Sequence, residues 1–166
     1  PPYLNRHDYS RIFQIELLMM GQHEENIKEL RYCSLRSHVE AKPLENKPDH
    51  YIVPPLLAQR LDWLPKDIDR RLRPTIEGYF EDMFLVLHSA KKILKPGAKV
   101  ALVVGNVRYS GILFPVDEIL IAIGEQAGYR HFGSWVIRLR GNSAQQMGRF
   151  GRIPSRETVV MLQTTS

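Results

Sequence analysis

From Thr75 onward the apolar residues Ile76, Tyr79, Phe80, Met83, Phe84, Leu87, Ala90, Ile93 and Leu94 recur at three- and four-residue steps, which predicts one buried face of a long helix. Lys95-Pro96-Gly97 ends that helix. The run Lys99 to Val104 is short, apolar and bounded by Gly97 and Gly105, the pattern of a central strand buried on both faces. Helix, tight turn and strand together predict an α/β unit. Pro115, Asp117 and Glu118 open another helix, with proline near its first position and acids where the helix dipole favours them. Its apolar residues Ile119, Leu120, Ile121 and Ile123 precede Gly128, a C-terminal stop. Tyr129 to Leu139 reads as a strand alternating around Phe132, Trp135 and Ile137, and Thr158 to Leu162 as a second strand. The segment Arg140 to Arg156 between them is Gly-rich and irregular.

Ahead of this region the pattern loosens. Ile12, Phe13, Ile15, Leu17, Leu18 and Met19 are dense enough to predict a mostly buried helix over Ile12 to Met20, closed by Gly21. Gln22 to Pro74 is polar, charge-mixed and broken by Pro43, Pro48, Pro54, Pro55, Pro65 and Pro74. It reads as an insertion holding one short amphipathic helix, started by Pro54 and carrying Leu56, Leu57, Leu61 and Leu64. The expected organisation is a single partial domain over 1–166: a loop and helix at 1–21, a helical insertion at 22–74, and helix-strand units with a terminal hairpin at 75–166.

Composition narrows the classes. A chain of 166 residues with 43% hydrophobic content can bury a core. A net charge of +5 admits a polyanionic partner without requiring one. Cys33 is the only cysteine, so an intrachain disulfide is excluded, and no Cys/His spacing suggests zinc. A reducing compartment fits, with Cys33 a buried or idle thiol. No apolar run reaches membrane-spanning length and no secretion signal opens the chain, so a soluble, cytoplasmic protein is expected, with no membrane partner and no metal. The chain begins at Pro1 and not at Met, and a natural upstream segment is expected.

The richest chemistry lies in Pro1-Pro2-Tyr3-Leu4-Asn5-Arg6-His7-Asp8-Tyr9. Two prolines remove two backbone donors and fix both φ angles, leaving a stiff corner whose carbonyls only accept hydrogen bonds. The exocyclic nitrogen of cytosine or adenine is a poor nucleophile because its lone pair is delocalised into the ring. Acceptors that take its hydrogens pull it toward tetrahedral geometry and free the lone pair for in-line attack on a sulfonium methyl. The tyrosine behind the prolines offers a surface on which an extruded base can stack, worth about 1–3 kcal/mol per base.

Pro1-Pro2-Tyr3 resembles the end of the Asp/Asn/Ser-Pro-Pro-Tyr motif of class I amino-methyltransferases. The continuation Leu4 to Arg11 looks like the extended form in restriction-type DNA methyltransferases whose motif begins with Ser. Leu94-Lys95-Pro96-Gly97 with Val103-Val104-Gly105-Asn106 is similar to the helix-strand unit after that family's catalytic loop. Gly141-Asn142-Ser143 and Arg152-Ile153-Pro154-Ser155-Arg156-Glu157 are similar to its last two strands and their joining loop. The resemblance covers both ends of the chain well and the insertion poorly. It implies the C-terminal part of a class I, Rossmann-like α/β methyltransferase fold with a terminal antiparallel strand pair and a small helical insertion, the last with a role in target recognition. It further implies methyl transfer from S-adenosylmethionine to a flipped base in double-stranded DNA, cytosine N4 ahead of adenine N6, without a covalent intermediate. On this resemblance a carbonyl of Pro1 or Pro2 accepts from the target amino group and Tyr3 stacks on the base. The residue before Pro1 and the Gly-rich turn for the cofactor are absent from the chain, and the resemblance locates them upstream.

The remaining candidates have two readings each. Arg6 and Arg11 hold a phosphate, or pair with Asp8 to fix the loop. His7 reads as an exposed loop histidine before it reads as a general base. Arg130 to Arg156 contains no Asp or Glu, and its Arg138, Arg140, Asn142, Gln146, Arg149, Arg152 and Arg156 are candidates for DNA contact, against a merely solvated basic loop. Arg70, Arg71 and Arg73 face DNA or form a solvated helix face beside Asp67 and Asp69. Asn106, past the buried strand, lines a base or cofactor pocket, or caps its turn. Two rival functions stand beside DNA methylation: an RNA guanine-N2 methyltransferase, and an inactive or split half that binds DNA or a complementary N-terminal chain.

Overall fold

A computed structural model describes residues 1–141, 147–148 and 150–165. In chain order the elements are α1 (Tyr9–Ile12), α2 (Gln14–Met19), α3 (Glu24–Cys33), α4 (Pro55–Asp62), α5 (Leu72–Lys91), β1 (Lys99–Gly105), β2 (Val107–Tyr109), β3 (Ile112–Phe114), α6 (Val116–Gln126), β4 (Tyr129–Arg140) and β5 (Ser155–Thr164). The main sheet has the order β1-β5-β4. β5 is antiparallel to both neighbours, so β1 and β4 run in the same direction, with α6 crossing between them.

Leu102, Val104, Val160 and Leu162 turn one sheet face toward the core. They meet Ile119, Leu120 and Ile123 of α6 and Tyr79, Phe80, Met83, Phe84 and Leu87 of α5. α6 comes close because residue 124 is glycine: a Cβ there would stand 2.7 Å from Leu162 Cδ1. Gly128 ends α6 in the left-handed conformation, φ 85°, as its position in the pattern predicts. The buried hydroxyl of Tyr129 donates to the Leu87 carbonyl at 2.8 Å, tying β4 to the last turns of α5.

The insertion contributes to the same core. Leu57 and Leu61 of α4 are buried in it. Arg36, 7% exposed, reaches across α5 to put Nη1 2.8 Å from Glu81 Oε2 and Nη2 2.6 Å from Asp82 Oδ1. Its guanidinium lies where a side chain at Gly78 would be, with Cδ 2.6 Å from an added Cβ.

Several expectations need correction. The helix over Ile12 to Met20 is two short helices broken at Phe13, and neither has a buried residue. Ile15 is 72% and Met19 84% exposed, because nothing described packs over their apolar faces. β1 is an edge strand of the described sheet and not a central one. Its outward-facing Val103 is 40% exposed, whereas its inward-facing Leu102 and Val104 are buried. Ile93, assigned to the face of α5, lies beyond the helix end and is 86% exposed. Of the two alternatives for Cys33, buried or idle, burial does not hold: it is exposed at the end of α3. α3 and the β2–β3 hairpin were not expected. Ser110 and Gly111, both at positive φ, form the two-residue hairpin turn that matches strand twist. The second strand of the terminal pair runs over Ser155–Thr164, longer than its apolar centre implies. Among the described residues no helix is long and apolar enough to cross a membrane.

Candidate active site

The loop from Pro1 to Asp8 is held at its backbone by two tyrosines. Tyr79 of α5 donates its hydroxyl to the Pro2 carbonyl at 3.0 Å, and Tyr109 of β2 donates to the Leu4 carbonyl at 2.7 Å. Leu4 is fully buried between these anchors. Beyond them the Asn5 N–H donates to Tyr3 O at 2.8 Å, and the Arg6 N–H donates to Ser37 O at 3.1 Å. Arg6 sits at φ 65°, a left-handed turn that brings the chain toward α1. Asp8 then caps α1, accepting from Ser10 N at 2.9 Å. The Pro2 carbonyl thus keeps one lone pair beyond the Tyr79 bond.

Tyr3 lies across the carboxyl end of β1. Its ring atoms Cδ2 and Cε2 are 3.6 Å from where a Cβ on Gly105 would stand. Its hydroxyl donates to Glu157 of β5, whose other carboxylate oxygen accepts from Arg138. Arg140 adds a contact to Glu157 at 3.6 Å, and its guanidinium carbon is 5.7 Å from the Tyr3 ring centre. Burial first, then the bond to the Glu157 carboxylate, raises the Tyr3 hydroxyl pKa above its ordinary value. The Arg138 guanidinium, then the Tyr3 hydroxyl, holds Glu157 below the usual carboxylate range.

Beside this ring opens a cavity of about 460 Å³, lined by Tyr3 to His7, Gly105 to Tyr109, Arg140, Gly141 and Ser155. It stands at the carboxyl ends of the co-directional strands β1 and β4, where open α/β sheets take their ligands. Arg6, Arg108 and Arg140 give the wall a positive balance, and none of the lining residues is acidic. A carboxylate to hold a ribose is therefore not part of this wall. The donor set suits a polar, electron-rich ligand lying on an aromatic ring, and does not by itself fit a nucleoside cofactor.

Asn106 borders the cavity and caps α6: its Oδ1 accepts from the Asp117 N–H at 3.2 Å. Asp117, 2% exposed, accepts from Arg156 Nε at 2.6 Å and Thr158 Oγ1 at 2.8 Å. Burial works to raise the Asp117 pKa, but hydrogen bonds from Arg156, Thr158 and Asn106 outweigh it and leave the group below its ordinary value. Arg156 also pairs with Glu118 at 2.5 Å.

The structure separates the candidate arginines. Arg6 and Arg140 line the cavity, and Arg138 stands next to it through Glu157. Arg6 pairs with Asp69 at 3.4 Å and not with Asp8. Arg11 pairs with Asp8 at 3.3 Å and Glu40 at 3.5 Å, the loop-fixing alternative. Arg156 is committed to α6, and Arg152 is exposed. Arg71 pairs with Asp69 and Arg73 with Glu77, so both are engaged on their own surface. His7 is exposed. Asn142, Gln146 and Arg149 lie outside the described residues. Asp8, His38 and Glu40 bring ligand-type atoms within 4.8 Å of one another. Arg31 Nε already stands 2.7 Å from Asp8 Oδ2, with Arg11 beside it, and two cations there oppose a metal ion.

Glu157, Tyr79 and Tyr109 were missed in the sequence. Tyr79 falls on the apolar face of the predicted long helix and reads as core, and Tyr109 lies outside every predicted element, although a buried tyrosine hydroxyl needs an acceptor. Glu157 carried a signal: an acid next to a run of Thr and apolar residues in a strand costs energy unless it is paired.

The architecture is thus a mixed helix-and-sheet unit with antiparallel strands and a ligand cavity at strand carboxyl ends. The chain has relatives of stated activity. The chain is 32% identical over an alignment of 185 positions to the Type II methyltransferase M.BsoBI of Geobacillus stearothermophilus, covering 97% of this chain and 36% of the relative. It is 35% identical over 172 to the Type II methyltransferase M.AvaI of Nostoc sp. (strain PCC 7120 / SAG 25.82 / UTEX 2576), covering 96% of this chain and 36% of the relative. The chain therefore spans about a third of the length of the curated relatives it matches. No family model matches it, and no solved structure matches it. The observed helix and strand arrangement is compatible with a fragment of a methyltransferase fold.

Proposed function

We propose that this chain forms the base-binding side of an S-adenosylmethionine-dependent DNA methyltransferase that modifies an exocyclic amino group, cytosine N4 ahead of adenine N6, on a flipped base. The observation that carries this reading is the position of Tyr3, half open to a cavity of about 460 Å³ at the carboxyl ends of β1 and β4. The Type II methyltransferase relatives supply the reaction class. The same reading assigns the chain to the C-terminal part of a Rossmann-like fold, with 22–74 as the segment that meets the target sequence.

The chemistry of this chain follows from its own residues. Tyr3 gives the extruded base a stacking face, and the Gly105 backbone supports the ring from behind. Pro1 and Pro2 do not line the cavity but directly precede its wall residue Tyr3. On this reading the Pro1 carbonyl and the free lone pair of the Pro2 carbonyl accept the two amino hydrogens, which turns the nitrogen lone pair out of the base plane. Tyr79 holds the Pro2 carbonyl directly, and Tyr109 holds the loop behind it through the Leu4 carbonyl. Arg6 and Arg140 balance phosphate charge next to the opening. S-adenosylmethionine supplies an electrophilic methyl group when bound, and no residue of the cavity wall is assigned to hold it.

The test is incubation of the complete gene product with methyl-labelled cofactor and either duplex DNA or RNA. Label is expected in the DNA. Label in RNA alone would favour the guanine-N2 rival, and label in neither would favour a non-enzymatic half.

A further inference from the structure

Glu157 is 1% exposed, too deep to touch a ligand, yet it lies beside the cavity wall. The register pairs it with Gly105 on β1 and Arg138 on β4. Gly105 leaves empty the space that a side chain would fill, and the Tyr3 ring lies over it, hydroxyl toward the neighbouring strand. One carboxylate oxygen takes the Tyr3 hydroxyl and the other takes Arg138.

From this geometry we infer that Glu157 is a positioning residue: it tethers the tip of Tyr3, fixing the plane on which the base stacks, while Arg138 and Arg140 neutralise its buried charge. The inference rests on the methyltransferase reading. Backbone anchors alone leave a tyrosine side chain two free torsions; a bond to the hydroxyl fixes χ1 directly, and because a phenolic O–H lies in the plane of its ring, the direction of that bond also restrains χ2. Tyr3 is thus gripped at three points, the Pro2 carbonyl, the Leu4 carbonyl and its own hydroxyl. An acid buried at this depth is costly without partners. Its partners here are the stacking residue, Arg140 of the cavity wall and Arg138 beside it, so its placement serves the ring.

Tyr3→Phe keeps the ring and removes the tether from one side. Glu157→Gln weakens it from the other while preserving shape. In the complete gene product, on unmethylated plasmid DNA with tritiated cofactor, each variant is expected to lower kcat about tenfold with KM for DNA within about threefold. The double variant is expected to be no slower than the slower single, because both remove one interaction. A second readout does not depend on activity: with tyrosines 13C-labelled at Cζ, the Tyr3 resonance should titrate at lower pH in Glu157→Gln than in the wild type. Multiplying effects in the double variant, or an unmoved Tyr3 titration, would overturn the tether. A shifted titration in a protein that labels no DNA would leave the tether and sink the methyltransferase reading.

Discussion

Tyr109 donates its hydroxyl to the Leu4 carbonyl oxygen at 2.7 Å, joining residues 105 positions apart. Tyr109 is 8% exposed, so the bond replaces water that neither group can reach. Through it the β2–β3 hairpin, which the apolar pattern did not announce, sets the height of the loop that carries Pro1, Pro2 and Tyr3. Burial raises the Tyr109 hydroxyl pKa, which keeps it a donor across the range in which the protein is folded.

Replacing Tyr109 with Phe removes the donor and leaves a buried carbonyl without a partner. Unfolding in urea is expected to show a loss of about 1–3 kcal/mol. Methyl transfer at a temperature where the variant is fully folded should fall further than Tyr79→Phe, whose acceptor at Pro2 is only half buried. Equal stability of Tyr109→Phe and wild type would remove this anchor from the account.

Much of the framework was legible in the sequence, because apolar periodicity reports burial directly. The face of α5 from Ile76 to Leu87, the proline-led start of α6, the Gly128 stop and the antiparallel terminal pair all follow from it. The same signal misled where the partner of an apolar surface is not among the described residues. Ile15 and Met19 look like core residues but face outward, and Val103 gives β1 the composition of a central strand at a free edge. Candidate site chemistry stood out in the sequence where residues share a short motif, as at Pro1-Pro2-Tyr3. It was hidden where it depends on pairs far apart in the chain, as Tyr3 with Glu157 or Arg156 with Asp117.

Asp117 makes stability depend on pH. Its folded pKa lies below its ordinary 3.8, so its contribution is complete above that value and is lost as pH falls through the folded pKa. Melting curves between pH 7 and pH 3 should show wild-type stability falling below about pH 4. Asp117→Asn should be weaker at pH 7 by about 1–3 kcal/mol and show a flatter acid limb. The lower end of that range is expected, because Arg156 is 39% exposed and solvent screens the pair. Parallel acid limbs for the two proteins would contradict the assignment.

Arg140 and Arg156 should behave differently on DNA despite their shared charge. Arg140 lines the cavity, so Arg140→Ala is expected to reduce the slope of log affinity against log salt by about 1. Arg156 is held by Asp117 and Glu118, so Arg156→Ala should lower the melting temperature and leave the slope nearly unchanged. Titrations at several salt concentrations separate the two, and a slope change for Arg156 alone would reverse the roles.

The chain of 166 residues expressed alone is expected to be poorly soluble. β1 has an unpaired edge in the described sheet, and α1, α2 and their flanking residues expose Ile12, Phe13, Ile15, Met19 and Met20. Substituting Ile15 and Met19 with Ser should improve its behaviour on size-exclusion chromatography. A monodisperse wild-type sample with cooperative melting would contradict this expectation.

The most direct test concerns Tyr3 and the acceptors beside it. Duplex DNA treated with the complete gene product and S-adenosylmethionine is digested to nucleosides and weighed by mass spectrometry, for wild type and Tyr3→Ala. The expected product is a base methylated on its exocyclic nitrogen, N4-methylcytosine ahead of N6-methyladenine. Its yield should fall between about tenfold and a hundredfold in the variant, the loss of one stacking contact. A methyl group on ring carbon, or a Tyr3→Ala protein as active as wild type, would contradict it.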